Sequence, residues 1–120
     1  MQIQPVALAV FVPSKNYLES QQFYKLLGFE KVFDTGKLSQ MRLGDVSFLL
    51  QDFYEVGLAN NLMLQLTVKN LDDVLLVLQQ LQQNEWPKLR FTPPEQTSWG
   101  RVIYLWGPAG ELWYLVDTKL

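Results

Sequence analysis

The chain has no cysteine and no histidine. The first absence excludes disulfides, thiolate nucleophiles and thiolate-held metals. The second removes the side chain that most often serves as a base or metal ligand near neutral pH. Charge is sparse too: charged residues make up 18%, the net charge is −2, and the ten basic residues form no block. A nucleic-acid surface needs clustered Lys and Arg to displace counterions, so nucleic acid is not an expected partner. No apolar run reaches membrane-spanning length. The opening Met1-Gln2-Ile3-Gln4-Pro5 lacks the charged segment and long apolar stretch of a signal peptide. The expectation is a soluble cytoplasmic protein with no membrane partner. There is also no Ser–His–Asp set, no Gly-rich phosphate loop and no closely spaced carboxylate pair in a pocket-forming stretch.

What the chain does have is apolar mass. Hydrophobic residues are 48% of its 120 positions, enough for one domain with a real core. Three of the four tryptophans fall in residues 99–117, where two β-prone runs flank Gly107-Pro108-Ala109-Gly110. A proline of fixed φ and a glycine free to take positive φ make that tetrad a hairpin turn. Closed around the tetrad, Val102, Tyr104, Trp106, Trp113 and Leu115 share one face. Ile103, Leu105, Leu112, Tyr114 and Val116 share the other, with Arg101 at its end. A ribbon apolar on both faces needs cover on both. Tyr104, Trp106 and Trp113 are expected beneath a helix.

Upstream, residues 6–12 read as a strand buried on both faces. Pro13-Ser14 breaks it, and Asn16 or Ser14 caps a helix over residues 17–27 that buries Leu18, Phe23, Leu26 and Leu27 and stops at Gly28. Strands follow at 29–33, 38–43 and 46–53, the last two joined by the tight turn Gly44-Asp45. Residues 54–61 lack a helical or strand period and read as a linker. Residues 62–68 form a strand, and Asn70 caps an amphipathic helix with Leu71, Val74, Leu75, Leu78 and Leu81 on its apolar side. Asp72 and Asp73 suit that helix's positive end. Residues 89–92 are a short strand and 93–98 an irregular loop. The whole reads as an α+β chain of two β-α-β-β-β modules, residues 5–53 and 62–118, forming curved mixed sheets around a cleft.

Four segments carry a resemblance: Phe11-Val12-Pro13-Ser14-Lys15-Asn16, Phe23-Tyr24-Lys25-Leu26-Leu27-Gly28-Phe29, Gly44-Asp45 and Gly107-Pro108-Ala109-Gly110. Together they resemble the vicinal-oxygen-chelate superfamily of glyoxalases, extradiol dioxygenases, fosfomycin-resistance enzymes and bleomycin-resistance proteins. In one respect the chain departs: Gly107 stands where the superfamily usually has aspartate. The superfamily's enzymes hold a divalent metal on four strands, and the matched motifs place those positions near Ala9, Leu49, Met63 and Tyr114. None of these offers a nitrogen or carboxylate donor, and a slip in register brings in only the neutral amides of Gln51 or Gln65. No metal and no cofactor is expected. Pro13-Ser14-Lys15-Asn16 at the helix start and Trp99-Gly100 before the last hairpin resemble the metal-free bleomycin-resistance type, homodimers that sequester a drug between subunits.

What this resemblance implies is a binding protein for a small hydrophobic or aromatic molecule, cationic ones included, with Trp99 and Tyr114 as aromatic walls. Arg101 is the candidate anion contact, although an ion pair with Asp117 competes for it. Met63, Gln65, Leu49 and Gln51 are the candidate lining. Two alternatives stand beside it: a metal-independent enzyme on the same fold, and a non-catalytic protein-interaction module.

Overall fold

The computed structural model describes residues 1–118, and its element order builds the two modules. The first runs β1 (Phe11–Pro13), α1 (Tyr17–Leu26), β2 (Glu30–Asp34), β3 (Leu38–Leu43) and β4 (Val46–Gln51). After α2 (Val56–Asn61), the second runs β5 (Met63–Thr67), α3 (Leu71–Asn84), β6 (Arg90–Phe91), β7 (Glu95–Gln96), β8 (Arg101–Trp106) and β9 (Leu112–Asp117). Both sheets have the same topology. The first strand lies parallel to the last, β1 on β4 and β5 on β9, and the others follow antiparallel in the orders β1-β4-β3-β2 and β5-β9-β8-β6. The repeat is therefore one of topology. The two sheets stay separate: among the described residues no strand of one pairs with a strand of the other.

The helices start where the side chains dictate. Asn16 accepts from the Glu19 amide and Asn70 from the Asp72 amide, each satisfying a backbone donor that the first turn leaves open. Gly28 follows α1 at φ 108°, a conformation that a β-carbon would strain. One core joins the helix-facing sides of both sheets. In it Tyr24 of α1 meets Phe29, Phe48 and Trp113, with ring centroids 4.8–5.8 Å apart. Leu71 and Leu78 of α3 close the core over Ile103, Leu105 and Leu115. No helix is long and apolar enough to cross a membrane among the described residues.

Five expectations are corrected. Of residues 6–12, only Phe11 and Val12 lie in β1; residues 1–10 form no strand, and Val6 and Leu8 are 100% and 97% exposed. Periodicity reports that a run can be a strand, but not whether the chain supplies a neighbour for it. The stretch 54–61 carries α2, whose start Glu55 caps by accepting from the Gly57 and Leu58 amides. Six residues are too few to display a helical period. Leu18 points to solvent at 74% exposure, because Tyr17, Ser20, Gln21, Phe23 and Tyr24 form the buried side of α1. Within the loop 93–98, Glu95–Gln96 pairs with β8.

The fifth correction governs the site. The last hairpin closes Trp106 on Leu112, so five residues lie in the connection, with Gly107 N–H donating to the Glu111 carbonyl at 2.8 Å. A turn one residue longer than the tetrad slips the register by one and exchanges β9's faces. Cross-strand partners share a face, so Ile103, Leu105, Trp113 and Leu115 lie together against the helices. Val102, Tyr104, Trp106, Leu112, Tyr114 and Val116 lie on the other side. Trp113 is the aromatic beneath the helices; Tyr104 and Trp106 are not.

Candidate functional site

The sheet faces turned away from the helices are the surfaces on which a ligand can be read. On the second sheet, β5 sets Met63 beside Leu112 and Gln65 beside Tyr114, while β8 sets Tyr104 on the far side of Tyr114. The two tyrosine rings meet edge to face, 4.9 Å apart and at 88°, a geometry that matches the positive edge of one ring to the negative face of the other. Met63 and Gln65 are exposed, and Tyr104, Trp106, Leu112 and Tyr114 are half-buried. The result is an aromatic and aliphatic floor bordered by an amide and a thioether, groups that adapt to an apolar guest.

The first sheet presents Leu49 and Gln51 on the corresponding face. There Leu49 lies between Phe11 and Gln40, and Gln51 between Pro13 and Leu38. Leu49 and Gln51 are half-buried and Phe11 is exposed. Met63, Gln65 and Tyr114 thus form one group and Leu49 and Gln51 a second, on separate sheets.

Trp99 is 54% exposed and precedes β8 at a bend. The Thr97 side chain accepts from the Trp99 amide and donates to the Gly100 carbonyl, which fixes the bend. A β-carbon on Gly100 would run into the Asp117 carbonyl, so glycine is needed for β9 to pass so close. Arg101 lies on the helix side. Its guanidinium donates to Asp117 at 2.8 Å and to Asp72 of α3 at 3.0 Å, and the buried Asp117 also accepts the Leu71 amide. These carboxylates raise the Arg101 pKa above its usual value, keeping it charged.

The positions matched to metal ligands can be tested on their donors. Leu49, Met63 and Tyr114 offer a hydrocarbon, a thioether and a phenol, and Ala9 lies in the exposed stretch before β1. Among the described residues no three of His, Cys, Asp or Glu gather as a metal-binding group. This donor set does not fit a divalent ion.

Two features went unread in the sequence. Tyr104 and Trp106 join the candidate floor because of the register slip. Its signal is Glu111, a carboxylate directly after the Gly107–Gly110 tetrad. In the fold Glu111 is fully buried in the turn, accepting from Tyr24 Oη at 2.7 Å and from the Ala109 amide at 2.9 Å. Burial pushes its carboxyl pKa up, against the hydrogen bonds that pull it down, and burial together with Glu111 pushes the Tyr24 phenol well up. Trp113 Nε1 donates to the same phenol at 2.9 Å.

No protein-family model matches the sequence, and no curated protein matches it. Solved structures do. A bleomycin-binding protein complexed with bleomycin is 22% identical, with a TM-score of 0.79 over 96% of this chain and 100% of that one. A bleomycin resistance determinant encoded on the transposon Tn5 is 22% identical, with a TM-score of 0.80 over 97% and 100%. TnmS3, an antibiotic binding protein from Streptomyces sp. CB03234, is 20% identical, with a TM-score of 0.78 over 98% and 100%. At these identities the likeness establishes architecture and not activity. With its paired modules, shared strand order and unclosed sheets, the chain has the glyoxalase/bleomycin-resistance fold.

Proposed function

We propose that this protein is a metal-free, cytoplasmic homodimer that sequesters a small hydrophobic or aromatic molecule, a drug or metabolite, without chemical change. The observation that carries the reading is the Tyr104–Tyr114 pair with Met63 and Gln65 beside it, an apolar floor open to solvent on the side away from the helices. Leu49 and Gln51 supply a second, similar face, and Trp99 a stacking wall. The bleomycin- and antibiotic-binding proteins of the same fold support a ligand of this class.

A second copy is the partner that fits. Single-chain sheets leave both candidate faces uncovered, and residues 1–10 hold Ile3, Val6 and Leu8 almost fully in water. Extended apolar chain of this kind is stabilised by adding to another molecule's sheet edge. In the dimer a face of one copy opposes a face of the other, and the ligand lies between them.

Calorimetric titration with bleomycin and with flat aromatic drugs tests the reading, with protein mass measured by light scattering. Expected are saturable binding, a dimer mass and an unaltered ligand at the end. Trp99→Ala and Tyr114→Ala should each weaken binding about tenfold, roughly 1.4 kcal/mol. Consumption of excess ligand would make the protein an enzyme. Variants that lose stability but leave affinity unchanged would point to an interaction module.

A further inference from the structure

One cavity reaches only the Trp106 end of the second-sheet floor and none of Met63, Gln65, Tyr104 or Tyr114. It encloses about 370 Å³ between the start of α1, the segment before β6 and the turn at Gly107–Gly110. Small-ligand pockets begin near that size, at roughly 300 Å³. Trp86, Trp106 and Tyr54 supply aromatic wall, and Lys15, Lys88 and Arg90 supply cations against the single carboxylate of Glu19. The chain as a whole is net negative, so this sign is local.

These cations are also differently engaged from others in the chain. Of the three arginines, Arg42 pairs with Glu30 and Arg101 with Asp117 and Asp72. Arg90 instead lies over the Trp106 ring, 4.9 Å from its centre, and Lys15 lies 5.5 Å from the centre of the Tyr54 ring. Among the described residues no carboxylate forms a salt bridge with Lys15, Lys88 or Arg90. A guanidinium on an indole face keeps its hydrogen-bonding edge available, and that planar fork matches a carboxylate or sulfonate.

We infer that this cavity is a second binding site, selective for a flat aromatic anion whose ring packs among Trp86 and Trp106 and whose acidic group meets Arg90 and Lys88. Cation and indole act together. The anion is held by charge-assisted hydrogen bonds, and the ring displaces water from two tryptophans. The site shares Trp106 with the second-sheet floor but touches none of Met63, Gln65, Tyr104 or Tyr114, so Tyr114→Ala separates it from drug sequestration.

The test uses the full-length protein and three probes, 2-naphthoate, neutral 2-naphthol and inorganic phosphate, read by the four indole N–H signals in proton–nitrogen NMR. Naphthoate should shift the Trp86 and Trp106 signals saturably and bind at least tenfold tighter than naphthol. The exposed-residue double variant Lys88→Gln/Arg90→Gln should keep its melting temperature and lose tenfold or more of naphthoate affinity, while Tyr114→Ala changes nothing. Equal binding of naphthol, shifts confined to Trp99, an undiminished response in the double variant, or phosphate binding as tightly as naphthoate would each overturn the inference.

Discussion

Tyr24 and Glu111, 87 residues apart, are joined by a 2.7 Å hydrogen bond in a part of the core that water does not reach. The bond fastens the first module's helix to the second module's closing turn. Trp113 donates to the same phenol, so one hydroxyl serves both neighbours. Tyr24→Phe strips Glu111 of a donor and Trp113 of an acceptor and should cost about 2–3 kcal/mol, the scale for buried groups left unmade. Glu111→Ala should cost at least as much, since the Ala109 amide loses its partner as well. Urea unfolding of both singles and the double should show a coupling above ~0.5 kcal/mol. Strict additivity would mean the bond does not join the modules.

The fold requires a glycine at Gly107. A β-carbon there would collide with the Glu111 carboxyl group. An aspartate would add like charge to that collision, so Gly107→Asp should destabilise by about 3 kcal/mol, at the upper end of ordinary substitutions. Shortening the neighbour removes the collision, so Gly107→Asp/Glu111→Ser should lose clearly less than the sum of the two single variants. Strict additivity of the two single losses in the double variant would show that the two positions do not compete for space.

Legibility followed the length of each signal. The helix starts at Asn16 and Asn70, the α3 stripe and the repeated strand order could all be read, because each rests on a cap or on several residues in period. Faces were harder, since a single residue exchanges them: closing the turn on the tetrad alone puts Trp113 with Tyr104. Nothing local marks a glutamate as buried when its partner is a tyrosine 87 positions earlier. The stretch 6–12 failed differently, as β-propensity cannot say which molecule provides the neighbouring strand. For the site, Met63, Gln65 and Tyr114 fall on one face because β5 and β9 pair in parallel with Gln65 beside Tyr114, a pairing no local signal announces.

Acid should act on two carboxylates in opposite senses. Asp34 accepts from Gln21, the Gly36 amide, Tyr17 and Lys31, which together hold its pKa below the ordinary 3.8. A lowered carboxyl stabilises the fold above its unfolded value and loses that contribution as pH falls below it. Glu111 is the reverse: its raised pKa means that stability present below about 4.5 declines as pH rises through the folded value. Melting curves from pH 3 to 8 should therefore show Asp34→Asn furthest below the wild type at neutral pH, converging with it in acid. Glu111→Gln should gain on the wild type as pH rises above about 4.5. Parallel curves for either variant would refute the assignment.

Arg101 adjoins the exposed Trp99 in sequence, yet its guanidinium faces α3. Arg101→Ala removes the cation from the fully buried Asp117, which also receives the Leu71 amide at the helix start. Loss of one partner from a buried pair costs about 3–5 kcal/mol; with Arg101 partly open to water, roughly 2–3 kcal/mol is the reasonable scale. Asp72→Asn should cost under ~1 kcal/mol, since the Asp72 side chain is 68% exposed. Drug affinity, measured well below the variant's melting temperature, should stay within about twofold of the wild type, whereas Tyr114→Ala should lower it. If Arg101→Ala instead weakened binding tenfold at unchanged stability, the guanidinium would have to leave Asp117 and reach the ligand, and the anchoring role derived from its geometry would be wrong.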